Sequence, residues 1–520
     1  MSEIIFKNAM LIDGTSAPAQ VGDLAVSQGR ITAVGGNIPV GAAKVVDASG
    51  LALAPGFIDI HTHSDRALFQ APEAESRILQ GVTTEIGGNC GNWARLEQGH
   101  SVQAFSEEDR GWPSLAEYFK DMAAMGISTN FGTLMGHGTV RAAAMGYDNR
   151  PPTPDEVTKM KQLADQAMQD GAFGISSGLI YPPSSYAVVD ELIEVTKAIA
   201  PYHGIHEIHM RNEGDNILQS LEEAFAIGRH AKVPVQIAHL KITGRRNWRI
   251  LTPAVLAMLD KARSQGIDVT VDQYPYIASA TSLNTIIPQW AHEGGREKFL
   301  QRIADPATRA KIRAEVLESF ARNESQWSDY LLSRIPSNNY PHLEGKNMAE
   351  IATLLGKEPI DAALDLILEE KGNIARVSFG MCEEDVEMIM KHSLVMIGSD
   401  GSAGNLDAPG VPHPRSYGTF SKVLGHYCRD RGLFPLETAV FKMTGFPAWR
   451  LRFPDRGLLR PGFCADLTLF CPQTVASNPT YTEPKQASAG IVQVYVNGVL
   501  TAQDGKHTGV RKGQVLKLKR

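Results

Sequence analysis

One segment near the start of the chain runs an apolar strand pattern directly into two histidines. Residues 55–63 read Pro-Gly-Phe-Ile-Asp-Ile-His-Thr-His, so His61 and His63 stand two positions apart at the end of the apolar run. Because side chains alternate across a strand, both imidazoles point to the same side and can share one metal ion. The fold must therefore bring further ligands to this strand end.

Four later segments also end a strand-like run in a residue type that binds metals. The terminal residues of these runs are Cys90, His209, His239 and Asp400. An isolated His-x-His pair often arises by chance, but several strands that all finish in ligand types favour a metal centre at one edge of a sheet.

The middle of the chain alternates strand patterns with helical patterns, which favours parallel strands joined by crossover helices. Helical patterns cover, for example, residues 154–169, 191–200, 217–229 and 253–264. The eight candidate strands are residues 53–60, 82–87, 130–135, 172–176, 204–209, 234–239, 268–274 and 394–398. Eight such units predict a (β/α)8 TIM barrel, whose catalytic groups lie at the C-terminal ends of the strands.

The two ends of the chain have an all-β character instead. Candidate strands lie at residues 3–6, 22–26 and 30–34, and again at residues 466–470 and 492–496. We therefore expect a small β-sandwich domain formed by residues 1–53 and 456–520 around a catalytic barrel domain of residues 54–455. The long gap before the eighth strand predicts an insertion around residues 283–355, either a lid over the strand ends or an oligomer contact.

The composition excludes several classes of partner. The chain has 520 residues, of which 43% are hydrophobic and 21% charged, as in a globular protein. No apolar run approaches the roughly 20 residues of a membrane span, so no membrane partner is expected. The net charge of −6 comes without a basic tract that could follow phosphates, so no nucleic-acid partner is expected.

Cysteine usage and the start of the chain indicate a cytoplasmic protein. Five cysteines, an odd number spread over a long chain, do not predict a disulfide framework, so Cys90 is interpreted as a thiol ligand. The first residues carry no basic region followed by an apolar signal segment.

A series of short motifs, in order along nearly the whole chain, resembles the amidohydrolase superfamily. Within it, the chain is most similar to the N-acyl-D-amino-acid deacylases, also called D-aminoacylases. The motifs are residues 55–59 with His61 and His63, then 81–84, 88–91, 136–139, 176–179, 209–213, 238–241, 274–276, 398–401, 413–415 and 417–420. The resemblance implies the barrel fold and a metal-dependent hydrolase.

The resemblance also implies the metal ligands. A tightly held Zn²⁺ falls on Cys90, His209 and His239, whose thiolate and imidazole groups suit zinc and leave a coordination position open for water. The residues of a second, weaker metal position are His61, His63 and Asp400. Many members of the superfamily bridge two metals with a carboxylated lysine on the fourth strand, but residues 172–179 contain no lysine, and Cys90 takes that place.

The implied reaction is removal of the acyl group from N-acyl-D-amino acids by water that zinc activates. Asp400 is the expected catalytic base, which takes a proton from water and passes it to the departing amine. The resemblance implies that the substrate α-carboxylate is held by Lys241, Tyr276, Ser282 and Arg415. His137 ends the third strand and is given a supporting role.

The substrate side chain and the rival functions stay open at this stage. Residues 283–290 contain no cation, which favours neutral or hydrophobic side chains, whereas Arg245, Arg246 and Arg296 count against this preference. Alternatives are a cyclic amide such as a hydantoin or lactam, a dipeptide, or a specialised xenobiotic amide, since residues 92–111 match no pattern of the family. A non-catalytic scaffold is least favoured because every expected ligand is present, and a homo-oligomer is left open.

Overall fold

The computed structural model describes residues 3–93, 111–337 and 339–519. The strands within these residues are β1 (Ile4–Leu11), β2 (Gln20–Ser27), β3 (Arg30–Val34), β4 (Lys44–Asp47), β5 (Ala52–Pro55), β6 (Phe57–Asp59), β7 (Val82–Gly87), β8 (Asn130–Thr133), β9 (Met135–Gly136), β10 (Gly174–Gly178), β11 (Ile205–His209), β12 (Val235–Ile237), β13 (Val269–Gln273), β14 (Ala278–Ser282), β15 (Tyr330–Arg334), β16 (Ala375–Phe379), β17 (Val395–Ile397), β18 (Leu467–Phe470), β19 (Ile491–Val496), β20 (Val499–Gln503) and β21 (Lys506–His507).

The α-helices lie mainly between the strands of the middle of the chain. They are α1 (Ala67–Gln70), α2 (Glu75–Ile78), α3 (Leu115–Met125), α4 (His137–Met145), α5 (Pro154–Asp170), α6 (Val189–Thr196), α7 (Ile217–Ala231), α8 (Thr252–Ser264), α9 (Arg296–Ala304), α10 (Pro306–Asn323), α11 (Met348–Leu355), α12 (Pro359–Glu369), α13 (Glu383–Lys391), α14 (Arg415–Lys422), α15 (Leu436–Met443) and α16 (Gly445–Arg450). Among the described residues, no helix has the length and hydropathy required to cross a membrane.

The parallel strands close into the predicted TIM barrel. One sheet has the order β17-β13-β12-β11-β10-β9 and another the order β6-β7-β8. A parallel bridge between Thr62 and Gly401 joins the first strand to the last, and the amide of Phe173 donates to the carbonyl of Thr133 at 2.9 Å to join the two sheets on the other side. Every strand predicted for the barrel is present, and the predicted fold class is confirmed.

Both ends of the chain build one further sheet beside the barrel. Its order is β21-β20-β19-β18-β5-β1-β2-β3, with β4 paired to β1. Strand β5 lies at the join, because it pairs with β1 from the start of the chain and with β18 from the end. Only Gly56 separates β5 from the first barrel strand, and a Cβ at Gly56 would meet Thr83 Oγ1 at 2.2 Å. The domain bounds 1–53 and 456–520 stay predictions.

The residues between β13 and β17 form a compact insertion. Strands β14, β16 and β15 make an antiparallel sheet, and helices α9–α12 pack on it around buried residues such as Phe299, Val316 and Ile360. The sequence prediction for residues 283–355 covers only part of this unit, since the outer strands start at Ala278 and end at Phe379. The insertion reaches the barrel mouth, because Gln289 Nε2 donates to the carbonyl of Ile180 at 2.6 Å.

A buried arginine ties the closing strands of the barrel together. The guanidinium of Arg77 lies 3.2 Å from Asp59 on β6 and 3.3 Å from Glu85 on β7, and it donates to Ser399 Oγ after β17 at 2.9 Å. Arg77 and both carboxylates are fully buried. Removing one member of such a group leaves an uncompensated charge in the core.

We therefore expect Arg77→Met to destabilise the fold. The apparent free energy of unfolding, measured by urea denaturation, should fall by about 3–5 kcal/mol because two buried carboxylates lose their cation. The exposed pair of Arg249 with Glu384 provides the control, and Arg249→Met should leave the denaturation curve nearly unchanged. Equal curves for the two variants would contradict the role assigned to Arg77.

Candidate metal centre

The ligand-type residues from separate strand ends lie in one connected cluster. His63 Nε2 is 2.9 Å from Asp400 Oδ1, which is 3.5 Å from His61 Nε2. The Cys90 thiol lies 3.4 Å from the Nε2 atoms of both His61 and His239. His239 Nε2 in turn lies 2.8 Å from His209 Nδ1. The fold thus brings together all six residues that the sequence predicts as metal ligands.

The donor atoms of this cluster suit a metal ion. One ligand atom each from His61, Cys90, His239 and Asp400 lies within 4.8 Å of the others, and all four residues are buried. Thiolate, imidazole and carboxylate are the donors that zinc prefers. His209 Nε2 is buried without a hydrogen-bond partner, which a ligand role would explain. The division into one tight and one weaker set of ligands stays a prediction.

Three of the ligand residues have an unusual backbone conformation. Cys90, His239 and Asp400 have φ angles of 53°, 31° and 52°, in the left-handed region that non-glycine residues seldom adopt. Such conformations concentrate at functional sites. Around Cys90 the turn also requires glycine, because Gly88 has a φ of 70° and a Cβ there would meet the carbonyl of Leu134 at 2.0 Å.

Buried carboxylates orient the two histidines that face Cys90. Asp272 Oδ1 lies 2.9 Å from His61 Nδ1, and Glu213 Oε1 lies 3.2 Å from His239 Nδ1. With Nδ1 carrying the proton, Nε2 of each ring is left as the metal-binding atom. Burial lowers the pKa of His61, but the hydrogen bond to Asp272 and the charges of Asp272, Asp400 and Glu207 together outweigh burial and raise this pKa to about 9.

Glu207 lies underneath the cluster on the same strand as His209. Its carboxylate accepts from the Cys90 amide at 3.0 Å, and Oε1 is 3.8 Å from His61 Nδ1. Burial raises the pKa of Glu207 to about 8. Glu207 therefore holds the strained turn at Cys90 in place.

Comparisons with known proteins agree with this geometry. The model of the amidohydrolase family matches residues 44–502 of the chain. The chain belongs to the amidohydrolase family. It is 37% identical to a D-aminoacylase of Alcaligenes xylosoxydans xylosoxydans over 99% of this chain and 97% of that protein. It is 36% identical to an N-acyl-D-aspartate deacylase of the same organism, over 99% and 95% of the two chains.

A solved structure has the same fold throughout. The N-acyl-D-glutamate deacylase of Bordetella bronchiseptica, crystallised with zinc and a phosphonate inhibitor that mimics the tetrahedral intermediate, superimposes with a TM-score of 0.84. It shares 34% sequence identity with this amidohydrolase, over 99% of each chain.

The residues predicted to bind the substrate carboxylate differ in their distance from the cluster. Arg415 Nη1 lies 2.7 Å from Asp400 Oδ2, and Lys241 Nζ donates to Glu213 Oε1 at 2.6 Å and to the carbonyl of His239 at 3.0 Å. The hydroxyl of Tyr276 donates to the carbonyl of Pro414, the residue before Arg415, at 3.3 Å. Ser282 ends β14, and its Oγ accepts from the amide of Asn284 at 3.2 Å.

His137 lies outside the metal cluster of this amidohydrolase. Its Nδ1 is 2.8 Å from Ser184 Oγ, and its Nε2 is 3.2 Å from Glu191, which also pairs with Arg141. These contacts hold the loop that carries Tyr181. The supporting role of His137 stays a prediction, and residues 94–110 of the segment 92–111 lie outside the described residues.

Sequence reasoning missed two aromatic residues and two carboxylates at this site. The Tyr181 ring packs edge-on against His209 with centroids 5.1 Å apart. The Arg415 guanidinium lies 5.0 Å from the centroid of the Tyr274 ring, whose hydroxyl is buried without a partner. The alternation of side chains along a strand could have revealed the two carboxylates, because Glu207 lies on the same strand face as His209, and Asp272 lies on the same face as Tyr274.

We expect Cys90→Ala to weaken zinc binding by more than about 100-fold, because loss of a ligand exceeds the effect of losing an orienting group. Zinc competition with a chromophoric chelator measures this affinity. Cys382 is also buried but bonds to Asp385 at 3.2 Å, so Cys382→Ala is the matched control and should bind zinc normally. Undiminished affinity in Cys90→Ala would remove Cys90 from the ligands.

Proposed function

We propose that this amidohydrolase is a zinc-dependent enzyme that removes the acyl group from N-acyl-D-amino acids. One observation carries the proposal: Asp400 belongs to the metal-ligand cluster and at the same time bonds to Arg415. A metal, a carboxylate and a cation at one position are what hydrolysis of an amide beside a free carboxylate requires. The proteins of similar sequence, deacylases of D-amino acids, support the same activity.

The proposed ligands are Cys90, His209 and His239 for tightly held zinc, with His61, His63 and Asp400 around a second position. When bound, zinc polarises the scissile carbonyl and lowers the pKa of water in its open position to about 7. Burial raises the pKa of the Cys90 thiol well above its ordinary value, so Cys90 would have to lose this proton to act as a thiolate ligand.

Asp400 acts as the catalytic base. Burial by itself would raise the pKa of Asp400, but the Arg415 guanidinium and the neighbouring histidines, including the hydrogen bond from His63, together outweigh burial and hold this pKa well below its ordinary value. The carboxylate is therefore ionised at neutral pH and can accept a proton from water. It then donates this proton to the nitrogen of the departing amine, which must lie within hydrogen-bond reach.

Arg415 and Lys241 supply the positive charge for the substrate α-carboxylate. Both side chains flank the ring of Tyr274, with Arg415 Cζ 5.0 Å and Lys241 Nζ 5.8 Å from its centroid. Charge-assisted hydrogen bonds from such groups are the strong kind. Tyr276 and Ser282 complete the predicted carboxylate clamp.

We expect Asp400→Asn to abolish turnover while one zinc per chain stays bound, because the amide keeps the shape of the side chain but cannot accept the proton. Steady-state amine release and metal analysis of the same sample measure the two properties. A near-normal rate would remove Asp400 from the role of base.

We expect Arg415→Ala to raise the KM for an N-acetyl-D-amino acid by roughly 10- to 100-fold, because one charge-assisted hydrogen bond to the α-carboxylate is lost. Arg431, whose exposed side chain pairs with Glu387, gives the matched control Arg431→Ala. With wild-type protein, the N-acetyl-D-amino-acid amide, which lacks the α-carboxylate, should have a higher KM than the free acid. In Arg415→Ala the two KM values should become similar. An unchanged KM would contradict the clamp.

Amine release by zinc-loaded protein from matched N-acetyl-D- and N-acetyl-L-amino acids tests the function itself. A hydantoin forms the third arm, because the main alternative is a cyclic amide; strand β10, Gly174–Gly178, carries no lysine, which disfavours that alternative. D-selective release supports the proposal. Hydrolysis of the hydantoin alone would replace it.

The partners, the location, the oligomeric state and the side-chain preference are proposed from the sequence. The partner is a small N-acyl amino acid or related amide, without nucleic acid or membrane; the location is cytoplasmic, and a homo-oligomer is compatible with the chain. The preference for neutral or hydrophobic side chains follows from the lack of a cation in residues 283–290. Similarity does not decide this preference, because the relatives include deacylases of acidic D-amino acids.

A further inference from the structure

A buried arginine of the insertion has no acidic partner. Arg376 on β16 is only 8% exposed, and its Nε and Nη1 atoms have no hydrogen-bond partner. Among the described residues, no carboxylate lies within salt-bridge distance of this guanidinium. An arginine that is buried without a counter-ion is strongly destabilising, so it calls for an anion that arrives from outside the chain.

The remaining surroundings of Arg376 hold the guanidinium in a fixed orientation. Its Nη2 donates to Thr285 Oγ1 at 2.9 Å, and its Cζ lies 4.7 Å from the centroid of the Tyr330 ring. These contacts satisfy one edge and one face of the group. The unpaired N–H groups are therefore preorganised for a further acceptor.

Arg376 belongs to the wall that the insertion places beside the metal centre. It is in register with Thr281 on β14, so the two side chains share a face of the sheet. Thr281 Oγ1 lies 3.0 Å from the hydroxyl of Tyr181, whose ring packs against His209. One aromatic side chain thus spans from a predicted metal ligand to the strand pair that carries the unpaired arginine.

Arg376 also adjoins the predicted clamp for the α-carboxylate. Thr285 accepts from Arg376 and donates to the carbonyl of Ser282 at 2.8 Å. Two hydrogen bonds through Thr285 therefore connect Arg376 to Ser282, a residue of the predicted clamp.

The three arginines that count against a neutral side-chain preference already have partners. Arg245 pairs with Asp329 at 2.7 Å, and Arg246 pairs with Asp215. The Nε of Arg296 donates to the carbonyl of Lys371 at 2.7 Å. Arg376 is thus a better candidate for binding an anionic group of the substrate than these three arginines.

We propose that Arg376 binds a second carboxylate of the substrate, in addition to the α-carboxylate. The inference rests on the proposed deacylase function. A dicarboxylic acyl group is compatible with the neutral side-chain preference proposed above, whereas an acidic side chain would replace that preference. The second carboxylate has two chemical sources: the side chain of an acidic D-amino acid, or the far end of a dicarboxylic acyl group. Both would place an anion against the unpaired N–H groups.

Three substrates separate these sources. N-acetyl-D-glutamate carries the carboxylate on the side chain, N-succinyl-D-leucine carries it on the acyl group, and N-acetyl-D-leucine carries neither. We expect one of the two dicarboxylates to have the highest kcat/KM with wild-type protein. In Arg376→Met this advantage over N-acetyl-D-leucine should fall by roughly 10- to 100-fold, and Arg376→Lys should recover part of it.

The neutral substrate and a matched variant exclude a merely structural effect. Arg334 lies on the neighbouring strand β15 but pairs with Glu344 at 3.2 Å, so Arg334→Met should keep the dicarboxylate advantage. Arg376→Met should keep its rate on N-acetyl-D-leucine within about threefold if the fold is intact, since the lost bond concerns only the second carboxylate. Equal losses on all three substrates would contradict a binding role.

Calorimetric titration of the same compounds into zinc-loaded Asp400→Asn protein measures binding without turnover. Tighter binding of one dicarboxylate, lost in the double variant with Arg376→Met, supports the inference. Equal affinities for all three compounds, or an advantage that survives Arg376→Met, would overturn it while leaving the deacylase function standing. If no N-acyl-D-amino acid binds or is cleaved, the proposed function itself fails, and the inference fails with it.

Discussion

The metal centre depends on the hydrogen bonds that close the barrel. The amide of Asp400 donates to the carbonyl of His61 at 2.8 Å, and the amide of His63 donates to the carbonyl of Gly401 at 2.8 Å. These bonds bring together residues from opposite ends of the barrel sequence, and they involve backbone atoms only. Because Asp400, His61 and His63 stand on the joined backbones, strand pairing positions the carboxylate predicted to act as the base and the two histidines. The buried Arg77 group lies on the same seam, because Arg77 donates to Ser399, the residue that precedes Asp400.

The barrel and the insertion contribute different parts of the site. The barrel strands provide ligands and the buried carboxylates that orient them, such as Asp272 against His61. The insertion provides a wall, which is attached to the barrel loop after β10 by the bonds of Gln289 and Thr281. The insertion can therefore differ between proteins of this fold without moving any predicted ligand. The proteins of similar sequence include a D-aminoacylase, an N-acyl-D-aspartate deacylase and an N-acyl-D-glutamate deacylase.

Those parts of the molecule could be predicted from the sequence in which a short stretch of residues shows by itself where it lies in the fold. Buried parallel strands are continuous apolar runs, so every barrel strand could be found, and ligands such as His239 stand out because they end these runs. The orienting carboxylates were less visible, since Asp272 lies within a strand and no local pattern tells an orienting group from an ordinary polar residue. Arg376 could not be found at all, because its place beside Thr281 depends on the pairing of two strands separated by most of the insertion.

The left-handed backbone at Cys90, His239 and Asp400 lowers the stability of the fold at three residues that are predicted to bind the metal. Each such conformation costs about 1–3 kcal/mol for a residue with a side chain, and glycine would relieve it. A glycine there would delete a ligand and relax the chain in a single step. Evolution or engineering for thermal resistance, without selection for turnover, would therefore collect substitutions at the ligands themselves.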